Sequence, residues 1–459
     1  MDAADTGRLA RVLSPFEVLL LTLSALSPVV SVFIGGNGAL HLAGTGAALA
    51  FLLGGAFNVL FALLYAEIAS AFPGAGGVYP SLTRLLGPRW SFAYVMLAAP
   101  LTFFSVAFVG LGLASYVHTF APGLPLIGLA IAGICLAGLI SILGIKSNAL
   151  ITGVFLAVEL VALLVLIIVA LTHLTNPLST VLQHPVQLVH DRLSATPLVT
   201  MAIAMVVGVW TTGGASWALY FAEELQDVQR QIGRVVAWSG AIASLTIAIP
   251  MVLVVLAIDD MPAVLRSEAP IAAFLDRSAG TLVGNLVIIG VIAAMFNALV
   301  ASLMGQARLL FAVGRDGAFP ARISRLFATL HPRFRSPVGA TLTLMCVASV
   351  LTLLGERWLL IIISGNVSDY ILIALAVWIG RRTGLTGRIF AAPLHPLVPV
   401  LGVLGGVGAI FADWQDIDAG RPSMVLLLGV FIASLLFYSW RRRKLGHEIV
   451  LSGTDGEGV

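Results

Sequence analysis

An all-α integral membrane protein of about twelve transmembrane helices is what this sequence predicts, and three observations predict it. Its apolar runs are long, they are continuous rather than alternating, and little charge separates them. The 459-residue chain is 59% hydrophobic and only 10% charged, with a mean hydropathy of +1.03. Soluble chains carry roughly 25% charged residues, so a surface wholly in water cannot be built from this composition. Unpaired amides cost several kcal/mol in hydrocarbon, which leaves helices or closed barrels as spanning structures. A barrel strand alternates apolar and polar residues, and these runs do not. At ~20 residues per crossing, twelve helices leave room for connections but for no sizeable soluble domain.

The runs place spans near 16–40, 45–70, 91–117, 125–145, 149–172, 197–222, 235–258, 281–312, 337–354, 358–380, 396–412 and 423–440. The first opens on Ser14-Pro15-Phe16-Glu17. Ser14 suits an N-cap, Pro15 the first helical position, and Glu17 the third position of a capping box. The stretch is too long for a signal-peptide core and lacks a small-residue cleavage site, so it reads as a span. Basic residues decide the orientation. With the N-terminus inside, 20 Lys and Arg fall on the inner side, against five outside (Arg192, Arg266, Arg277, Arg357, Arg421). That bias puts both termini in the cytoplasm; 23 of the 25 basic residues are Arg, which points to a GC-rich bacterial genome, so the expected membrane is the bacterial cytoplasmic one. Cys135 and Cys346 lie within apolar runs and read as packing residues rather than a disulfide or metal pair.

Two of the runs are interrupted. The first contains Ser27-Pro28 and then Gly35-Gly36-Asn37-Gly38, and the sixth contains Thr211-Thr212-Gly213-Gly214. Proline removes an amide donor and paired glycines loosen a helix. Such breaks survive at mid-membrane only where they line a cavity or are buried in protein. They lie five spans apart, an odd number, so the second five helices enter from the opposite side. Matching breaks in two inverted halves point to a transporter's midplane site.

Three stretches carry a resemblance. Tyr65-Ala66-Glu67-Ile68 with Ala71-Phe72-Pro73-Gly74-Ala75-Gly76-Gly77-Val78-Tyr79 resembles the second-helix and first-loop signature of the amino acid–polyamine–organocation transporters. Ala222-Glu223-Glu224-Leu225 is similar to that family's acidic pair, and residues 306–320, from Gln306 to Pro320, to its eighth-helix signature. The resemblance implies the LeuT-type fold: an N-terminal cytoplasmic tail at 1–15, a five-helix repeat at 16–172, an inverted second repeat at 197–380, helices eleven and twelve within 396–440, and a cytoplasmic tail at 441–459. It also implies substrate between the unwound parts of helices one and six. The family's helix-one turn is Gly-Ser-Gly-Ile-Phe-like, whereas the matching residues here are Ser27-Pro28-Val29-Val30-Ser31-Val32-Phe33. Glycine amides are replaced there by the hydroxyls of Ser27 and Ser31. The expected binding residues are Ser27, Pro28, Val29, Val30 and Ser31 with Trp210, Thr211, Thr212, Gly213 and Gly214. Trp210 can stack on an ammonium, a contact worth ~0.5–2 kcal/mol, or serve as a core aromatic.

Glu159 sits alone among apolar residues from Val154 to Ala170. A charged carboxylate at the bilayer centre costs ~3 kcal/mol or more. A group that is neutral when dry and ionised when wetted is what proton coupling requires, and a hydrogen-bonded structural Glu is the other reading. Some proton-coupled relatives carry a lysine near this place in the fifth helix. Asn297, Ser302 and Asp369 are candidates for coupling or gating. Glu223 and Glu224 read as a solvated helix end near Arg230 and Arg234, or as an inner gate with Arg308 or Arg315. Glu67 can pair with a basic loop residue, and Asp413, Asp416 and Asp418 read as a solvated external loop.

The sequence lacks a phosphate-binding Gly-rich loop followed by Lys-Ser or Lys-Thr, a zinc helix and a hydrolase elbow. Nucleotide, nucleic acid, metal and cofactor are therefore not expected, and H⁺ or secondarily Na⁺ is the coupling ion. A channel would want a polar stripe or a ring of like residues, and an embedded enzyme a catalytic constellation. The expected function is secondary active transport of a small neutral amino acid, as proton symport or exchange, with a polyamine or amine permease as the alternative.

Overall fold

The computed structural model describes residues 9–74, 76–364, 368–383, 388–445 and 451, excepting the side chains of Thr180, Val181, Ser364, Ser368, Asp369 and Leu445. Among the described residues nine helices are long and apolar enough to cross a membrane. They are spans one (Pro15–Ala43), two (Gly46–Ala71), three (Pro88–Phe120), five (Ile145–Thr172), six (Leu198–Glu224), seven (Val228–Ala257), eight (Thr281–Arg315), eleven (Leu397–Gln415) and twelve (Gly420–Lys444). The other three expected spans are shorter pieces. Span four is Leu126–Ser141, and span nine is Val338–Leu354, which meets Glu356–Ile363 at 115°. Span ten is described as two helices, Glu356–Ser364 and Ser368–Arg382. Gly355, at φ 79, makes the corner between nine and ten.

The capping box at the start of span one is formed. Ser14 N–H donates to Glu17 Oε2 at 2.7 Å, and Glu17 N–H to Ser14 Oγ at 3.3 Å. Spans two and six then cross with their backbones in contact. A Cβ on Gly54 would strike the main chain of Gly208, and one on Gly208 the main chain of Ala50. Small residues permit this approach, which is how helices associate without a hydrophobic driving force. Span five shows the complementary division. Leu150, Val154, Val161 and Leu164 are exposed, while Asn148, Thr152, Leu156 and Glu159 are buried at helical spacing. Its polar edge therefore faces the bundle, and Glu159 is directed at span one.

Several small elements carry no strong apolar signal and were not expected: helices Tyr79–Leu86, Met261–Leu265, Pro270–Ala279 and Ala321–Phe327. An antiparallel hairpin, Val186–Val189 with Arg192–Ala195, lies over the start of span two, where Thr45 N–H donates to Val186 O at 2.9 Å. His190 and Asp191 turn it, both at positive φ, as tight hairpins require. Asp413 corrects an expectation. It belongs to span eleven and is only 4% exposed, so it is not part of a solvated loop.

Candidate functional site

Span one divides at Ser27. The first half, Pro15–Leu26, closes with Ser27 N–H donating to Leu23 O at 2.8 Å, and the second begins at Pro28, which has no amide to give. Ser27 takes φ 48, a left-handed conformation costing of order 1–3 kcal/mol in a non-glycine residue. Glu159 holds the strained turn. Its Oε1 accepts from Ser27 Oγ at 2.6 Å and from the Val29 amide at 3.0 Å. Val30 N–H reaches Ser27 Oγ at 3.4 Å and Ser31 N–H reaches Ser27 O at 3.0 Å. The first amides of the second half are thus already occupied, one of them by a side chain from span five. Gly35 to Gly38 continue the helix, first in a wider π turn over Ser31–Gly36.

Span six divides at Gly213 and Gly214. Helix Leu198–Thr212 ends, Gly214 adopts φ 144, and the chain restarts as a 3-10 helix, Ala215–Glu224. Only glycine enters that conformation without strain. The two breaks touch: a Cβ on Gly214 would strike Leu26, and one on Gly35 would strike Thr211. Asn58 of span two ties the second break down. Its Nδ2 donates to Val209 O and, at 2.8 Å, to Thr212 Oγ1, while its Oδ1 accepts from Tyr370 Oη at 3.3 Å. Asn58→Ala removes these bonds, each worth about 0.5–1.5 kcal/mol, while Val209 O keeps the Gly213 amide and Thr212 Oγ1 keeps Gly208 O. The expected result is a lower unfolding midpoint together with at least a several-fold loss of transport, read in parallel on the purified variant.

A cavity of about 310 Å³ lies between the breaks. Val30, Ser31, Trp210, Thr211, Thr212, Gly213 and Gly214 line it, with Ser302 from span eight. Ser27, Pro28 and Val29 do not. They are buried on the side of span one that faces Glu159. Trp210 stands 42% exposed with its ring edge-on to Phe108, 6.5 Å between centroids. Among the described residues no charged side chain lines the cavity. Asn297 is fully buried beside Glu159, and neither of its amide atoms nor Glu159 Oε2 has a hydrogen-bond partner. The Asp369 side chain lies outside the described residues. Sequence reasoning missed Asn58, the one amide side chain in span two, and Gln306, whose Oε1 is unpartnered at the cavity wall.

Two ion pairs join spans six and eight at the arginine-rich end. Glu224 and Arg308 form a two-pronged pair, with Arg308 Nη2 3.0 Å from Glu224 Oε1 and both side chains 3% exposed. Arg315 pairs with Glu223 at 3.0 Å. The segment before span one crosses this cluster. Leu9 N–H donates to Glu223 Oε1, Leu13 N–H to Glu224 O, and Gln226 N–H to Leu13 O. The acidic pair is therefore not a solvated helix end. Its partners are Arg315 and Arg308, from span eight, because the second half of span six packs along that span rather than along its own following loop. Glu67, fully buried, is held by Arg381 and Arg388 at the same end. Tyr79 Oη donates to Asp316 Oδ2 at 3.2 Å, and burial with that carboxylate pushes its phenol well above the ordinary range.

Comparisons with known proteins match this architecture. The sequence profile of the amino acid permease family fits residues 13–437. A branched-chain amino acid permease, BcaP of Bacillus subtilis, is 26% identical over 411 residues, 83% of each chain. Another BcaP, from Lactococcus lactis, is 25% identical over 95% of this chain and 96% of its own. A methylthioribose transporter of Bacillus subtilis is 26% identical over 82% of each. Long apolar helices, two of them broken around one cavity, thus come with a family match across nearly the whole chain: this multi-pass membrane protein belongs to the amino acid permease family, within the amino acid–polyamine–organocation superfamily.

Proposed function

We propose that this permease carries a neutral, apolar amino acid, branched-chain ones included, across the bacterial cytoplasmic membrane by alternating access, with H⁺ coupled through Glu159. The observation that carries the reading is the cavity itself, which joins two broken helices and is lined by no charged side chain among the described residues. A dibasic amino acid or polyamine would leave a second ammonium there without a carboxylate, at a cost of several kcal/mol. The names of the two branched-chain permeases favour the same substrate class. Ser31 and Thr211 to Gly214 hold the polar backbone end of the substrate, and Val30 and Trp210 its flank.

Glu159 acts on this site from behind. Ionised, it grips the Val29 amide and Ser27 hydroxyl with charge-assisted bonds, roughly twice as strong as neutral ones. Protonation weakens that grip and gives Oε2 a hydrogen to donate to Asn297 Oδ1. Once ionised again, Oε2 accepts from Asn297 Nδ2 instead. An amide side chain, with both a donor and an acceptor, serves both states. The proton on Glu159 thereby sets how firmly span one is held at its turn. The arginine-rich end faces the cytoplasm, and the Glu224–Arg308 and Glu223–Arg315 pairs are its gate.

The test is uptake of a labelled amino acid panel into proteoliposomes under imposed pH or Na⁺ gradients, with counterflow as control. Saturable counterflow of leucine, isoleucine or valine, with accumulation driven by a pH gradient alone, is the expected result. Saturable counterflow of lysine or putrescine in their place would overturn the substrate assignment, and accumulation driven only by Na⁺ would overturn the role of Glu159.

A further inference from the structure

Beyond Leu445 the chain is polar and glycine-rich, except for one apolar triplet, Ile449-Val450-Leu451. Gly446-His447-Glu448 before it and residues 452–458 after it have a composition that builds no core of its own. Leu451 is nevertheless 0% exposed. Its side chain joins a buried cluster with Tyr79, Phe92, Leu309, Val313 and Tyr438, separate from the main core. Its carbonyl accepts from Thr83 Oγ1 at 2.6 Å. The helix Tyr79–Leu86, span three, span eight and span twelve each give this seat at least one residue.

The seat shares a wall with the substrate cavity. Tyr94 and Ala98 of span three and Tyr220 of span six pack against the cluster and also line the cavity. Gln306, two residues before Arg308 on span eight, lines it too. A solute leaving by the arginine-rich end has to pass between these walls, so spans three and eight must part there. Leu451 joins the same two spans through the cluster behind those side chains. Fully burying one leucine shifts an equilibrium by roughly tenfold or more. Such a clamp is strong enough to bias opening and weak enough to let go.

We propose that Leu451 is an autoinhibitory anchor. Seated, it clamps spans three and eight together at the arginine-rich end and slows the opening of the cavity there. Released, it leaves the cluster without one of its apolar members, and the same spans part more readily. The inference rests on alternating access, and on neither the substrate class nor Glu159.

The full-length chain carrying Leu451→Ser tests it in two ways. The first needs no substrate. With Cys135 and Cys346 replaced by Ala, Gln306→Cys puts a thiol on the cavity wall. Its reaction with a membrane-impermeant reagent, applied to sealed vesicles from the arginine-rich side, reports opening at that end. Leu451→Ser is expected to speed this reaction roughly tenfold, and deletion of residues 446–459 to do the same. Leu451→Met, which refills the seat at nearly the same volume, should stay slow. From the opposite side the reagent should gain nothing. The second readout is counterflow in proteoliposomes, whose rate is expected to rise several-fold in Leu451→Ser. Unchanged labelling from the arginine-rich side, or a counterflow rate that stays level or falls, would overturn the proposal. Faster labelling from both sides would mark a loosened fold and would overturn it too. Faster labelling from that one side alone, in a protein showing no counterflow of any amino acid, would uphold the anchor and overturn the transport reading instead.

Discussion

Glu159→Gln is expected to abolish accumulation driven by a pH gradient while leaving exchange intact. Gln matches Glu in length, so its Oε1 still accepts from Ser27 Oγ and the Val29 amide, the two bonds that hold the turn of span one. What it loses is the proton. With one pH unit imposed, single-proton coupling is worth ~1.4 kcal/mol, or roughly tenfold accumulation. The variant should reach only equilibrium across the same gradient. Counterflow of labelled substrate, which needs no net proton movement, should keep its rate to within about a factor of five, because neutral bonds replace charge-assisted ones at a total cost of some 1 kcal/mol. A variant that still accumulates tenfold would make Glu159 a structural residue. One that loses counterflow as well would show that the turn needs the charge itself.

The second large effect is expected at the ion pairs between spans six and eight. Glu224→Ala strands Arg308, a cation whose side chain is 3% exposed. Removing one partner of a buried pair costs about 3–5 kcal/mol, chiefly the penalty of the charge left behind. The loss should appear as a marked fall in unfolding midpoint. Arg308→Ala should behave alike, and the double variant should recover a good part of the loss, since neither charge then remains. Exposed pairs give only about 0–1 kcal/mol. Losses of that size in both single variants, adding in the double, would mean that the end is open to water and that the pairs close nothing.

The long helices were legible because an apolar run of sufficient length has few alternatives in lipid. Spans four, nine and ten were less so. A 16-residue helix such as Leu126–Ser141 does not announce its length, and the corner at Gly355 leaves no trace in hydropathy. The break in span one was visible as Ser27-Pro28, since proline withholds an amide. Which side chain would take up the liberated Val29 amide was not visible, because Glu159 lies 130 residues further along. The lone carboxylate in span five stood out in sequence, and its partner became evident only through packing. Glu223 and Glu224 show the opposite hazard. Arg230 and Arg234 are near them in sequence, yet their partners come from span eight, 92 and 84 residues away. Asn58 left a weak signal as a single amide among apolar neighbours, while the Val186–Val189 hairpin is too short to give any.

Thiol labelling at Ser31 tests the site between the two breaks most directly. Ser31 is 8% exposed and lines the cavity, and the chain's cysteines, Cys135 and Cys346, are free and replaceable by Ala. In that background, Ser31→Cys should react with a small water-soluble thiol reagent, and transported amino acid should slow the reaction with the same concentration dependence as its transport. A reaction rate indifferent to substrate, in a variant that still transports, would place the solute elsewhere and contradict a site built on the broken halves of spans one and six.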